Sequence, residues 1–122
     1  MRRKEMRKFE KVAVSRLRGV RVSPQKARLV VDSVRGDAVG NALNTLRFRK
    51  QKTARLTEKL LRSAVASAVL NAGADVDSLV VLEAYVDSGV TLKRSIPRAR
   101  GRATPIRKRC AHITLVLGAP AL

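Results

Sequence analysis

The sequence predicts an α+β fold: three helices packed on a three-stranded antiparallel sheet, with a long projecting β-hairpin arm. Three observations carry this reading. Apolar residues recur at helical spacing in three segments, beginning near residues 24, 38 and 51. Two runs, Leu79–Asp87 and His112–Leu117, alternate as strands do. Between those runs lies Ser88–Cys110, which holds eight Lys or Arg and no Asp or Glu. Such a connection is too long for an ordinary hairpin loop.

Taken in order, residues 1–11 show no periodicity and are expected to form a basic tail, ahead of a single domain over 12–122. Val12, Val14, Leu17, Val20 and Val22 suggest a strand with a bend or bulge near Gly19. Arg16, Arg18 and Arg21 then lie near one exposed edge. Ser23-Pro24 is a helix start, because Ser accepts from first-turn amides and Pro at the first position loses no hydrogen bond. Ala27, Val30, Val31 and Val34 make its apolar stripe, with Lys26 and Arg28 off it, and Gly36 is expected to cap it. A second short helix follows through Val39, Ala42, Leu43 and Leu46, with Asp37 as candidate cap. Residues 51–72 carry the strongest helical pattern. Lys52, Arg55, Lys59 and Arg62 form a basic ridge, while Leu61, Ala64, Val65, Ala68 and Ala72 lie on another face. In the first strand of the pair, Val80, Leu82, Ala84 and Val86 alternate with Val81, Glu83, Tyr85 and Asp87, the second set carrying the charges.

The arm over 88–110 mixes Val90, Leu92, Ile96 and Ile106 with its charges, unlike a simple linker. About ten residues per leg would extend on the order of 30 Å. Gly101 marks the tip, where positive φ is needed. Pro97 and Pro105 each lack a backbone donor, which predicts an irregular distal loop in place of a ladder.

Twenty-seven Lys and Arg against nine Asp and Glu give a net charge of +18, with an apolar content of 45% that is normal for a folded protein. The charge favours a polyanionic partner. Residues 63–92 carry no Lys or Arg, so one side of the molecule is neutral or acidic. RNA is the partner that the arm suggests, through Arg98, Arg100, Arg102, Arg107, Lys108 and Arg109, since arginine offers a planar fork to phosphate. The edge arginines, Lys26, Arg28 and the helix ridge are candidates for the same partner. With two Phe, one Tyr and no Trp, an aromatic base-stacking platform is excluded. Nothing supports catalysis, a metal or a cofactor: His112 and Cys110 stand alone, and no nucleotide-binding or metalloprotease motif occurs. A single cysteine fits a reducing compartment. No apolar run approaches the roughly 20 residues that span a bilayer, and MRRKEMRKFEK lacks the apolar segment of a secretory signal.

TLKRSIPRARGRATPIRKRCAHITLVL resembles the extended loop and last strand of the uL22 family of bacterial large-subunit ribosomal proteins. VRVSPQKARLVVDSVRG, TARLTEKLLRSAVASAVLNAG and LVVLEAYVDSG are similar to that family's first helix, long helix and strand. The resemblance implies an α+β domain in the cytoplasmic 50S subunit that binds large-subunit ribosomal RNA and assists early assembly. It further implies that the hairpin lines the peptide exit tunnel beside protein L4, near the constriction. The nascent peptide is then a passing partner, and no stable homo-oligomer is expected. Carried onto this chain, the tunnel-lining segment is Gly89–Arg102, with Leu92, Lys93 and Arg94 in the part associated with the constriction and macrolide sensitivity. Thr91, Ser95 and Ala99 supply its short side chains. The competing class is a DNA-binding regulator using the short helices 24–35 and 38–47, but the second offers Asn41, Asn44 and Thr45 with little positive charge.

Overall fold

A computed structural model describes residues 3–120. The elements run α1 (Arg3–Met6), β1 (Phe9–Val20), α2 (Pro24–Asp32), α3 (Val39–Phe48), α4 (Lys52–Ala72), β2 (Val80–Ser88), β3 (Leu92–Pro97), β4 (Ala103–Lys108) and β5 (Ala111–Pro120). Short 3₁₀ turns occupy Val76–Ser78 and Ala99–Gly101. One antiparallel sheet has the order β1-β5-β2, and a second pairs β3 with β4.

The three longer helices bury their stripes against the inner face of the first sheet. Ala27, Val30, Val31 and Val34 join Val39, Ala42, Leu46, Leu61, Ala64 and Ala68 against Val81, Ala84, Val86, Ile113, Leu115 and Leu117. α4 lies over β1 and β5, and α2 lies over β2. Ala54, Ala64 and Ala68 let α4 approach closely, and Thr57, buried among them, donates its hydroxyl to the Thr53 carbonyl at 2.8 Å.

Several expectations shift, each for a local reason. β1 starts at Phe9, within the expected tail, because Phe9, Glu10 and Lys11 pair with Pro120, Ala119 and Gly118. Residues 1 and 2 of that tail lie outside the described residues. Gly19, at φ 70, falls in the register break between Leu17 and Val20, so the expected bulge is present. α2 stops at Asp32, with Ser33 as its C-cap, and Gly36 lies further on in the turn, where its N–H donates to the Val81 carbonyl at 2.8 Å. Ser23 sits at the N-cap of α2 without a side-chain bond, and Ala38, not Asp37, is the N-cap of α3. In β2 the regular alternation fails at Val81. Val80 and Leu82 are buried as the alternation requires, and a register break between Val81 and Glu83 brings Val81 into the core as well, beside Ala84 and Val86. Ala72 is exposed, and Thr53, Ala54, Thr57 and Leu60 extend the buried face at the other end of α4.

β2 forms one edge of its sheet, and its free side is covered in two ways. Near its start the α2–α3 connection pairs with it, through Val81 N–H to the Asp37 carbonyl (2.9 Å) and Val39 N–H to the Leu79 carbonyl (3.1 Å). Further along, two arginines take over. Arg28 donates Nε and Nη2 to the Val86 carbonyl at 3.3 and 3.1 Å. Arg35 donates Nε to the Ala84 carbonyl at 3.0 Å, adds a second, short bond from Nη2, and holds Asp32 at 2.7 Å. These charged donors occupy carbonyls that would otherwise be available to a foreign strand. Arg35→Ala should lower stability by about 1–2 kcal/mol in urea unfolding, whereas Arg18→Ala, on an exposed position, should stay within about 0.5 kcal/mol. Equal effects of the two would remove the edge-covering role.

Candidate nucleic-acid interface

The basic stretch Ser88–Cys110 becomes a two-stranded ladder between a narrow root and a tight tip. At the root, Ser88 pairs with Ala111 and Gly89 N–H donates to the Cys110 carbonyl at 2.9 Å. Three residues, 89–91, then face two, 109 and 110, before Leu92 pairs with Lys108. A cavity of about 360 Å³ opens there, lined by Thr91, Lys93, Arg107, Arg109 and Cys110 among others. Six residue pairs follow, Leu92–Lys108 through Pro97–Ala103. They span roughly 20 Å, and the root and tip take the rest of the arm.

The ladder is regular where the two prolines led us to expect irregularity. Arg98 N–H donates to the Arg102 carbonyl at 2.6 Å, which makes that pair a hydrogen-bonded one. Antiparallel pairs alternate between bonded and non-bonded. Pro97–Ala103 and Ser95–Pro105 therefore fall in the non-bonded set, where N–H groups point away from the partner strand. Both prolines sit where no ladder donor is needed. At the tip, Arg100 (φ 65) and Gly101 (φ 71) are consecutive left-handed residues, so the expected glycine turn also places a non-glycine residue in strained backbone.

The pairing sorts the arm into two faces. Leu92, Arg94 and Ile96 share one with Lys108, Ile106 and Thr104, and Lys93, Ser95 and Pro97 share the other with Arg107, Pro105 and Ala103. The expected tunnel-lining residues thus divide between faces: Leu92 and Arg94 on one, Lys93 and Ser95 on the other, with Ala99 in the tip. Lys93 stands directly opposite Arg107, a like-charge pair that destabilises the free ladder. Among the described residues no arm cation makes a salt bridge. Arg98, Arg100, Arg102, Arg107, Lys108 and Arg109 are all exposed.

On the body, the candidate cations fall into three groups. Arg16 and Lys59 line one cleft between β1 and α4, and Arg21, Lys26 and Lys52 line a groove beside it. Together they make a basic strip along the seam of these elements, with Arg18 exposed on the same strand. Arg55 and Arg62 share Glu58, at 3.7 and 2.9 Å, and Arg55 also donates to the Arg47 carbonyl. Sequence reasoning passed over Glu58, although its spacing of three from Arg55 and four from Arg62 is the signal for such pairs. Arg28 turns to the edge of β2, as described above. α3 exposes Asn41 and Asn44, with Arg47 in its last turn.

The two isolated residues near the root have structural settings. His112 accepts from the Gly19 N–H through Nδ1 at 3.0 Å, so it ties the bulge of β1 to β5. Cys110 is buried and free. Among the described residues no group of three or more His, Cys, Asp or Glu is placed to hold a metal ion, and no helix is long and apolar enough to cross a membrane.

Residues 15–118 match the family model described as ribosomal protein L22p/L17e. The chain is 55% identical over 105 residues to the large ribosomal subunit protein uL22 of Geotalea daltonii, covering 86% of this chain and 95% of that one. It is 54% identical over 103 residues to the protein of the same name from Pelobacter propionicus, covering 84% and 93%. The Geotalea uraniireducens protein, also so named, is 55% identical over 103 residues with the same coverage.

A two-stranded ribbon without a covering layer is marginal in water, and this one also carries like charges. In the free protein, amide hydrogen exchange in Leu92–Lys108 should therefore be fast and close to that of an open chain, while Ile113, Leu115 and Leu117 are protected to near the global unfolding limit. Equal protection in the two regions would show that the arm is held by something other than its own ladder.

Proposed function

Because the chain belongs to the ribosomal protein L22p/L17e family, we propose that it is a structural constituent of the large ribosomal subunit that binds large-subunit RNA by charge and shape. The family is structural, not enzymatic, and its place is the bacterial cytoplasm, within the 50S particle. The observation that carries RNA binding is the arm: eight cations, no acid and no layer of the fold over it. Its self-repulsion is relieved only against a polyanion. The seam cations Arg16, Arg18, Arg21, Lys26, Lys52 and Lys59 give the body a second contact. Arg55 and Arg62 add to it to the extent that Glu58 leaves their donors free.

The finer reading is that the protein assists early assembly and that its arm lines the peptide exit tunnel near the constriction, beside protein L4. The division of the arm supports this. Ser95, Pro97, Ala103 and Pro105 make the distal part of one face small and nonbasic, with Lys93 and Arg107 at its root end, so a passing peptide of any sequence finds no large apolar patch there. The tip arginines and Arg107–Arg109 reach phosphate. Thr91, Leu92, Lys93 and Arg94 at the root end, with Ala99 at the tip, complete the lining.

Replacing Arg98, Arg100 and Arg102 together with Gln should weaken binding to large-subunit RNA and make its salt dependence shallower. The melting temperature should hardly move, because the tip touches no part of the core. A large fall in melting temperature with unchanged affinity would overturn this assignment. For the tunnel, a photo-crosslinker at position 93 in ribosomes carrying a stalled nascent chain should join both RNA and peptide. Crosslinks confined to surface RNA would exclude the tunnel placement.

A further inference from the structure

We propose that the groove between the N-terminal ends of α2 and α4 is a pocket for a single RNA nucleotide, holding its phosphate and packing its nucleoside. This rests on the RNA-binding reading above and adds to it a specific mode of recognition. Arg21, Ser23, Lys26, Gln51, Lys52 and Thr53 bring their polar groups to a space of about 440 Å³. No acidic residue lines it, and none of the three cations makes an ion pair among the described residues.

Two helix ends are left open here. Ser23 and Gln51 occupy the N-cap positions, yet neither caps its helix with a side-chain bond. The Ala27 N–H bonds the Ser23 carbonyl at 3.0 Å and the Ala54 N–H bonds the Gln51 carbonyl at 3.1 Å. The amides just before them, at Gln25, Lys26, Lys52 and Thr53, have no acceptor within their helices. Both helix dipoles favour an anion at these ends.

An independent sign comes from Thr53. It is only 4% exposed, and its carbonyl accepts from Thr57. Its hydroxyl, however, makes no hydrogen bond to any described residue. No buried side-chain polar atom is both sealed from solvent and unpaired, so this hydroxyl is reached by solvent, and Thr53 lines the groove. A nearly buried hydroxyl without a partner, beside free amides and three cations, is the arrangement that a phosphate oxygen completes.

The space also exceeds what a bare phosphate fills, and lies within the size range of small-molecule pockets. Val22 and Leu29 form its apolar side, with Leu29 65% exposed although it lies beside the core helices. A ribose or base carried by the bound phosphate would cover Leu29. A nucleotide unstacked from its neighbours meets both requirements, in keeping with protein recognition of RNA at loops and bulges.

The test uses the full chain and RNA extracted from large ribosomal subunits, with affinity followed across salt. Thr53→Val should bind about ten-fold more weakly with an unchanged salt slope, since the donor lost to phosphate carries no charge of its own, and Thr53→Ser should restore it. Lys26→Gln with Lys52→Gln should weaken binding and also make the slope shallower. In amide and methyl NMR, adenosine 5′-monophosphate should shift Gln25, Lys26, Lys52 and Thr53 together with the Leu29 methyls. If the unaltered chain does not retain this RNA, the RNA-binding reading falls and the pocket with it. If it does, and both the Thr53→Val and double Gln variants match it, the pocket alone is wrong. Inorganic phosphate shifting the same amides as strongly, with Leu29 unmoved by the nucleotide, would overturn nucleoside recognition.

Discussion

Both halves of the structure depend on the central position of β5. It is the last strand in the chain, yet β1 and β2 each hydrogen-bond only to it within their sheet. Its inner residues Ile113, Leu115 and Leu117 are fully buried under the helices. The root of the arm, at Ser88–Ala111, is continuous with the β2–β5 ladder. Until this strand is placed, the helices have only part of a surface to pack on and the arm has no base. The β1–β5 pairs join the two ends of the chain, Phe9 with Pro120 among them. Such distant pairing makes folding slow relative to a helical protein of this size.

Cationic residues do two different jobs in this molecule, and position on the sheet decides which. β2 is an edge strand, so its carbonyls need donors, and Arg28 and Arg35 provide them from α2 and the turn after it. β1 is the opposite edge, and along its seam with α4 Arg16, Arg21, Lys26, Lys52 and Lys59 line clefts without acidic partners. The net charge of +18 therefore overstates what faces a partner. Some of it closes the fold, and some, as at Arg55 and Arg62, is moderated by Glu58.

Much of the fold was legible because its signals are local. Helical spacing in residues 24–34, 39–46 and 51–72, alternation in 79–87 and 112–117, and the charge of the arm each stand within one segment. What was missed depends on pairing across segments. Strict alternation sets Val81 on the outward side with Glu83, and only the register break against β5 brings it into the core alongside the buried Val80 and Leu82. Phe9–Lys11 read as tail because their partners lie beyond residue 117. Arg28 looked like any exposed cation until the Val86 carbonyl was placed beside it. Thr53 gave no signal at all, since an unpaired hydroxyl is defined by its surroundings.

The arm shows how a ribbon can be ordered in pairing yet depend on its surroundings for stability. Prolines were expected to break it, and a shift of one residue at either position would have done so. With both in the non-bonded set, they leave the ladder's bonds intact and remove outward donors from its rims. Two consequences follow. The ribbon keeps its register without a hydrophobic core, so its two faces remain distinct. Its rims are also poor templates for another strand, which matters for a long exposed hairpin that cannot hide. A lone ribbon held only by its own ladder, with Lys93 set against Arg107, is still short of stability. Part of the deficit is electrostatic, and a polyanion corrects that part without new apolar contacts. Those same charges that weaken the free arm thus select the environment in which it becomes rigid.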